Sequence, residues 1–420
     1  MGEKPSHAVR RPRGSTFQHR DFTLYLWSRI LSSCGTEFQM TGVSWHVYQL
    51  TGQPLDLGLI GLAQFAPFLA LFLIAGAVAD RFSRTSILCL CGLLHTCCAL
   101  LLYSLTMLGT TQFSPIFLVL LLMGMTRAFQ SPAQQALVPL LVPQEHFARA
   151  VAWTTSGSQI VRMGAPAVAG GLLMLGQAYV YGAAIGCLAL SALLTFFIQA
   201  NTQIVNRERP SWTTLLGGLT FIGSRPLLLG TIGLDLCAVF LGGATALLPI
   251  YAVDILHVGA VGFGCLRTVQ TLGALACTLA LIYWPLTRRA GVVMLGSVAL
   301  FGVATVVFGL STSFALSCVA LGVMGAVDAI SVFIRGLIIQ IIPPDDMRGR
   351  VSAVNAVFIG ASNELGALES GLTAAWWGVV PAVVVGGLGT LAVALVFLWR
   401  FPQMQTLDSL DHDVLIRQYR

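Results

Sequence analysis

Charge is scarce in this sequence, and lysine is almost absent. Asp, Glu, Lys and Arg make up 10% of 420 residues, and Lys4 is the one lysine. A soluble domain carries roughly a quarter charged residues, so a sizeable water-soluble domain is excluded. A pump with its own ATP site is excluded too, because a P-loop needs a lysine in its glycine-rich turn and Lys4 sits in the N-terminal tail. There is no Cys-x-x-Cys pair, no His-Glu-x-x-His and no histidine cluster. Spacing therefore suggests neither a zinc site nor a disulfide framework, no membrane-enzyme arrangement is visible, and no cofactor is expected. The ten cysteines all lie in apolar runs and read as small packing hydrophobes. No cleavable signal peptide is expected either. The basic start MGEKPSHAVRRPRGSTFQHR lacks a short apolar core with a small-residue cleavage site, and reads as a cytoplasmic tail.

Apolar length is what the sequence has in abundance. It is 56% hydrophobic, with a mean hydropathy of +0.82. Runs of about 20 apolar residues, each enough to cross a bilayer as a helix, recur along the chain. We count twelve, at 22–48, 57–79, 86–108, 114–140, 150–174, 178–199, 226–253, 260–283, 291–310, 314–342, 351–373 and 377–399. Arg81, Arg84, Arg149, Arg207, Arg209, Arg225, Arg288, Arg289, Arg348 and Arg350 fall after even-numbered spans, and the connections after odd-numbered spans contain no Lys or Arg. The positive-inside rule then places both termini in the cytoplasm, in the cell (inner or plasma) membrane. The formal charge of +6 meets the lipid bilayer rather than a nucleic acid.

The chain also repeats itself. PQEHFARAVA, from Pro143 to Ala152, aligns with PDDMRGRVSA, from Pro344 to Ala353, at a shift of 201 residues. The same shift pairs Gly124 with Gly325, Arg127 with Asp328 and Gln134 with Arg335. Two parallel six-helix halves explain this, a doubling typical of transporters whose bundles rock about a central site. The expected domains are a tail at 1–21, a bundle at 22–199, a central cytoplasmic loop at 200–225, a bundle at 226–399 and a cytoplasmic tail at 400–420.

Between the second and third spans stands GAVADRFSR, from Gly76 to Arg84. Gly76, Asp80, Arg81 and Arg84 match the G-x-x-x-D-R-x-x-R signature of the major facilitator superfamily, which this chain resembles over its whole length. Arg127-AFQ-Ser131 resembles the family's R-x-x-Q-G motif, and PAVAGG, from Pro166 to Gly171, resembles its exporters' Pro/Gly-rich motif. YQLTGQP, from Tyr48 to Pro54, is similar to the subgroup holding the enterobactin exporter and macrolide efflux proteins. The resemblance implies an all-α integral membrane protein with twelve transmembrane helices in two six-helix bundles (the major facilitator fold), working as a monomer. It also implies that Gly76, Asp80, Arg81 and Arg84, with Arg350 from the repeated segment, form a cytoplasmic latch between the halves.

Charges retained inside a membrane are costly and point to function. Glu37 lies midway along the first span and is the first candidate for proton coupling, with Asp235 at a comparable depth in the seventh. Arg127 and Asp328 complete the coupling candidates, Arg127 because it matches the family arginine implicated in proton movement. Asp328 and Arg335, seven residues apart, share a helix face about 10 Å apart and are expected to find partners on other helices. Gln39, Gln64, Arg162, Arg335, Asn355 and Glu364 are candidates to line a substrate cavity. Arg29 lies near the cytoplasmic end of the first span, where it is expected to snorkel. The expected function is secondary active transport by alternating access, with proton-coupled efflux of a small amphipathic siderophore or drug as the leading reading. An uptake symporter or a lysophospholipid flippase or uniporter on the same fold is the alternative.

Overall fold

The computed structural model describes residues 16–200, 212–284, 286 and 288–407; the outer parts of both tails and the start of the central loop lie outside them. Every regular element among these residues is helical. In chain order the main helices are α1 (Arg20–Thr51), α2 (Pro54–Arg81), α3 (Arg84–Met107), α4 (Ser114–Leu141), α5 (Phe147–Leu175) and α6 (Gln177–Phe196). They continue as α7 (Trp212–Ser224), α8 (Pro226–Leu241), α9 (Gly259–Tyr283), α10 (Ala290–Leu310), α11 (Phe314–Ile341), α12 (Asp345–Trp377) and α13 (Val379–Arg400). Local signals set the boundaries. Gly52, at φ 60°, closes α1 with its N–H on the Tyr48 carbonyl at 2.8 Å, a left-handed position that favours glycine. Pro54 and Pro226 open α2 and α8, where a missing N–H costs nothing.

Eleven of the helical segments are long and apolar enough to cross a membrane. The expected first span is the exception. Helix α1 carries Arg29, Ser32, Ser33, Thr36 and Glu37 at steps of three and four, a polar stripe that dilutes its hydropathy. The expected seventh span is also interrupted. Helix α8 stops at Leu241 before Gly242 and Gly243, and short helical turns carry the chain through Pro249 to Ile255. There is no room at the break for a side chain, because a Cβ on Gly243 would collide with the Gly366 backbone. Part of the expected central loop is helical as well. In α7, Ile222 is buried beside Leu227 and Val354, so burial of apolar residues holds this segment against α8 and α12.

Packing divides the helices into two groups. Helix α1 packs on α5 and α6, α3 on α4 and α6, and α2 on α4; α10 packs on α11 and α13, α9 on α11, and α12 on α8 and α13. Two antiparallel contacts join the groups, α2 against α12 and α5 against α9. Both depend on glycine. A Cβ on Gly170 would sit 2.8 Å from the Ala260 carbonyl oxygen, and one on Gly371 would sit 2.8 Å from that of Pro54. Such small-residue seams let helix backbones approach closely. Not every glycine of α5 serves this end, since Gly164 and Gly171 face open space.

The outward surface is rich in exposed leucine, valine and phenylalanine, including Leu90, Leu101, Leu122, Leu193 and Leu395. Exposed aromatic residues gather at helix ends, with Tyr283, Trp284 and Trp399 at the end where loops carry arginine and Trp376 and Trp377 at the opposite end. An apolar band edged by aromatics suits a lipid environment.

Candidate functional site

Two connected cavities occupy the centre of the molecule. The larger, ≈ 620 Å³, extends toward the arginine-bearing end as far as Arg29, Gln134 and Thr155. The other, ≈ 480 Å³, reaches the opposite way to Ser44, Leu57, Pro249 and Phe263. Both are lined by Glu37, Met40, Gln159, Arg162, Arg267 and Glu364, so these six residues form the waist between them.

Ion pairs cross the waist. Glu37 of α1 lies between two guanidinium groups, with Oε1 3.7 Å from Nε of Arg162 on α5 and Oε2 3.5 Å from Nη2 of Arg267 on α9. Arg267 Nη1 also donates to Thr41 Oγ1 at 2.8 Å. On the other side, Arg127 Nη1 of α4 donates to Glu364 Oε1 of α12 at 3.4 Å, and the guanidinium carbon lies 5.6 Å from the centre of the Phe68 ring. Two of these pairs, Glu37–Arg267 and Arg127–Glu364, join one helix group to the other. Beyond the waist, away from the arginine-bearing end, the cavity is capped. Trp45 and Phe263 stack with centroids 5.8 Å apart, and Tyr48 donates its hydroxyl to Asp254 Oδ1 at 2.6 Å.

The cavity thus brings together Glu37, Gln64, Arg127, Arg162 and Glu364 from the expected site residues and leaves out Gln39, Asp235, Asp328, Arg335 and Asn355. Gln64 Nε2 contacts Met40 Sδ at 3.0 Å. Gln39 is fully buried and donates through Nε2 to the His95 carbonyl at 3.2 Å. Its Oε1, like Asn355 Oδ1, is buried without a hydrogen-bond partner among the described residues. Asp235 of α8 and Arg335 of α11 form an ion pair with side chains only 6% and 4% exposed, and Ser331 donates to Asp235 Oδ1 at 3.3 Å. Arg335 therefore does find its partner on another helix. Asp328 lines a pocket of ≈ 10 Å³ beside this pair, with Ser297 and Ser331.

The residues expected to form a latch sit at the arginine-bearing end. Arg81 is exposed at the end of α2 and Arg84 is buried at the start of α3, while the side chain of Asp80 lies outside the described residues. Arg350 lies against Gly217 and Gly218 of α7. Arg29 does not snorkel to an interface. Its guanidinium turns into the cavity, bonding Gln134 Oε1 at 3.1 Å, Tyr25 Oη at 3.3 Å and Ser158 Oγ at 3.3 Å, since a cavity offers it the solvation an interface would.

Sequence reasoning singled out neither Arg267 as a partner of Glu37 nor the polar stripes that make the wall. The stripes were legible as patterns. Arg127, Gln130, Ser131 and Gln134 in α4 and Thr155, Ser158, Gln159 and Arg162 in α5 recur at steps of three and four, and all line the cavity.

A family model described as "transmembrane secretion effector" (MFS_3) matches residues 15–418. The chain belongs to this family of major facilitator proteins. Its relatives include the MFS-type transporter YfiS of Bacillus subtilis, 25% identical over 395 residues that cover 89% of this chain and 91% of that protein. The enterobactin exporter EntS of Citrobacter koseri is 25% identical over 388 residues, covering 90% and 91%. That of Escherichia coli strain SMS-3-5 is 26% identical over 410 residues, covering 93% and 96%. Solved structures agree on the fold. A bacterial homologue of the human lysosomal transporter Spinster, inward-facing and unoccupied, superimposes with a TM-score of 0.73 at 14% identity, covering 94% of this chain and 99% of that one. The nucleoside transporter NupG does so at 0.70 and 15%, covering 91% and 99%. Family and fold are those of a membrane transporter, not an enzyme.

Proposed function

We propose that this major facilitator protein is a secondary active transporter that expels a small amphipathic molecule by alternating access, coupled to protons through Glu37. In this reading α1 also crosses the membrane and brings the eleven apolar spans to twelve, and the two helix groups are the six-helix bundles of the fold. Both termini are cytoplasmic in the cell membrane, and the monomer is the working unit. The conformation described is inward-facing, with the cavity extending toward the arginine-bearing side and Trp45, Phe263, Tyr48 and Asp254 closing the outer side. The observation that carries the proposal is the waist. A carboxylate in mid-span, paired across the two groups at 3.5 Å, is a charge whose removal by a proton changes the energy of holding those groups together. Efflux is supported by the enterobactin exporters among the relatives and by the exporter-like PAVAGG stretch in α5.

Proteoliposomes under an imposed pH gradient test this. A panel of siderophores, cationic drugs and lysophospholipids is offered, and the expected result is movement of one class of solute only when the gradient is present. Flux that ignores the gradient would instead support a uniporter or flippase. Solute accumulating together with the protons would support uptake symport.

A further inference from the structure

We propose that the transported molecule is an anion that docks on Arg162 and unties the two helix groups by competing with Glu37 for Arg267, the arginine that pairs with it across the groups. The anion site rests on the transporter reading above but not on its proton coupling, which only the exchange rule uses. Four guanidinium groups (Arg29, Arg127, Arg162 and Arg267) line the joined cavities against two carboxylates (Glu37 and Glu364), an excess of two positive charges. Exposure sharpens the imbalance. The side chains of Arg162 and Arg127 are 64% and 52% open to the cavity, whereas those of Glu37 and Glu364 are only 19% and 22% open. An entering solute therefore meets mainly positive charge, and the low-dielectric walls of a cleft concentrate that field.

Two arginines are placed to hold an anionic head. Among the described residues Arg29 has no carboxylate partner; its bonds go to Tyr25, Gln134 and Ser158. Ser158 is four residues, one helical turn, before Arg162 on α5, so the two guanidinium groups follow one seam between α1 and α5. Arg162 meets Glu37 through Nε at 3.7 Å, a long contact, and its guanidinium makes no other bond among the described residues. Arginine presents planar paired donors that suit a carboxylate, sulfonate or phosphate. Met40, Met123, Leu57, Ile60 and Phe263 supply apolar surface for the rest of an amphipathic molecule.

The arrangement also gives an exchange rule. Glu37 faces Arg162 from α5 and Arg267 from α9, while His95 of α3, Arg127 of α4 and Glu364 of α12 line the same cavity. In the empty ionised state, Glu37 ties α1 and α5 to α9. An anion held by Arg162 weakens that tie by competing with Glu37 for Arg267, which lines the same cavities, and a proton on Glu37 weakens it by removing the carboxylate charge. Each ligand alone lets the groups move, so an anion leaves and a proton returns. A negative interior also repels an anion, so a membrane potential assists export without any pH gradient.

A matched series tests the sign of the charge: radiolabelled naphthalene-2-sulfonate, naphthalene-2-sulfonamide and 2-naphthylmethylammonium. Binding is measured on the purified full chain and transport in proteoliposomes under a potential alone. The sulfonate is expected to bind about tenfold or more tightly than the other two. Arg162→Gln is expected to erase that preference, and Arg162→Lys to restore part of it, which a merely misfolded protein would not do. Equal binding of the ammonium compound, or an unchanged sulfonate preference in Arg162→Gln, would overturn the anion site. Sulfonate binding without flux under any gradient would leave the site standing and overturn the transporter reading.

Discussion

Glu37→Gln is expected to abolish gradient-driven accumulation while leaving folding and membrane insertion intact. Glutamine keeps the size of the side chain and removes only its charge and its titration. Thr41 still holds Arg267 at 2.8 Å, so the local geometry survives. What is lost is the charge shared by Arg162 and Arg267 at 3.7 and 3.5 Å. Partly solvated ion pairs contribute about 1 kcal/mol each at most. The two pairs that cross between the groups, Glu37–Arg267 and Arg127–Glu364, therefore bias the carrier by a factor of roughly 5 to 30 rather than locking it. A bias of that size suffices for switching, because a single proton or solute can reverse it. With the titrating group gone, downhill exit of the solute continues and the pH gradient no longer drives it. Flux assays on wild type and variant, side by side at equal reconstituted amounts, read this directly; accumulation by Glu37→Gln at the wild-type level would remove Glu37 from the mechanism.

Arg335→Ala is expected to have the largest effect on stability. The Asp235–Arg335 pair is enclosed among Leu234, Ala238, Ile334 and Ile338, and only Ser331 would remain to solvate the aspartate. Leaving one charge of a buried pair uncompensated costs about 3–5 kcal/mol. Thermal unfolding of the detergent-solubilised protein should shift down by several degrees. Removing both charges at once, as Asp235→Leu with Arg335→Met, should recover most of that loss, because well-packed apolar residues often replace a buried pair without penalty. Retained transport in the double variant would assign Asp235 a structural role and leave coupling to the waist. Loss of transport with stability recovered would return Asp235 to the mechanism.

Much of this architecture was legible in the sequence, because a bilayer imposes simple rules. Apolar runs of fixed length specify spans, and the 201-residue repeat from Pro143 to Pro344 suggests the two helix groups. The departures have physical causes. Helix α1 is less apolar than a bilayer-facing span because one of its faces lines the cavity rather than lipid. The seventh span breaks after Leu241 because Gly243 must approach the Gly366 backbone, a tertiary contact no local pattern announces. Within the site, Glu37, Arg127, Arg162 and Glu364 stood out as charges in apolar runs. The pairing of Glu37 with Arg267 did not, because the two are 230 residues apart and only the packing of α1 and α5 against α9 brings them together. Gln39 and Asn355 looked like cavity residues, yet polarity alone does not say whether a side chain points into a cavity or between packed helices.

The central claim is that the two helix groups rock about the waist. It is tested most directly by spin-label distance measurements in a cysteine-free background, with one label pair at Thr51 and His257 on the closed end and another at Arg81 and Arg348 on the arginine-bearing end. Titrating from high to low pH, or adding transported solute, is expected to lengthen the first distance while shortening the second. Distances that stay fixed under both treatments, or that lengthen together, would contradict alternating access about this site.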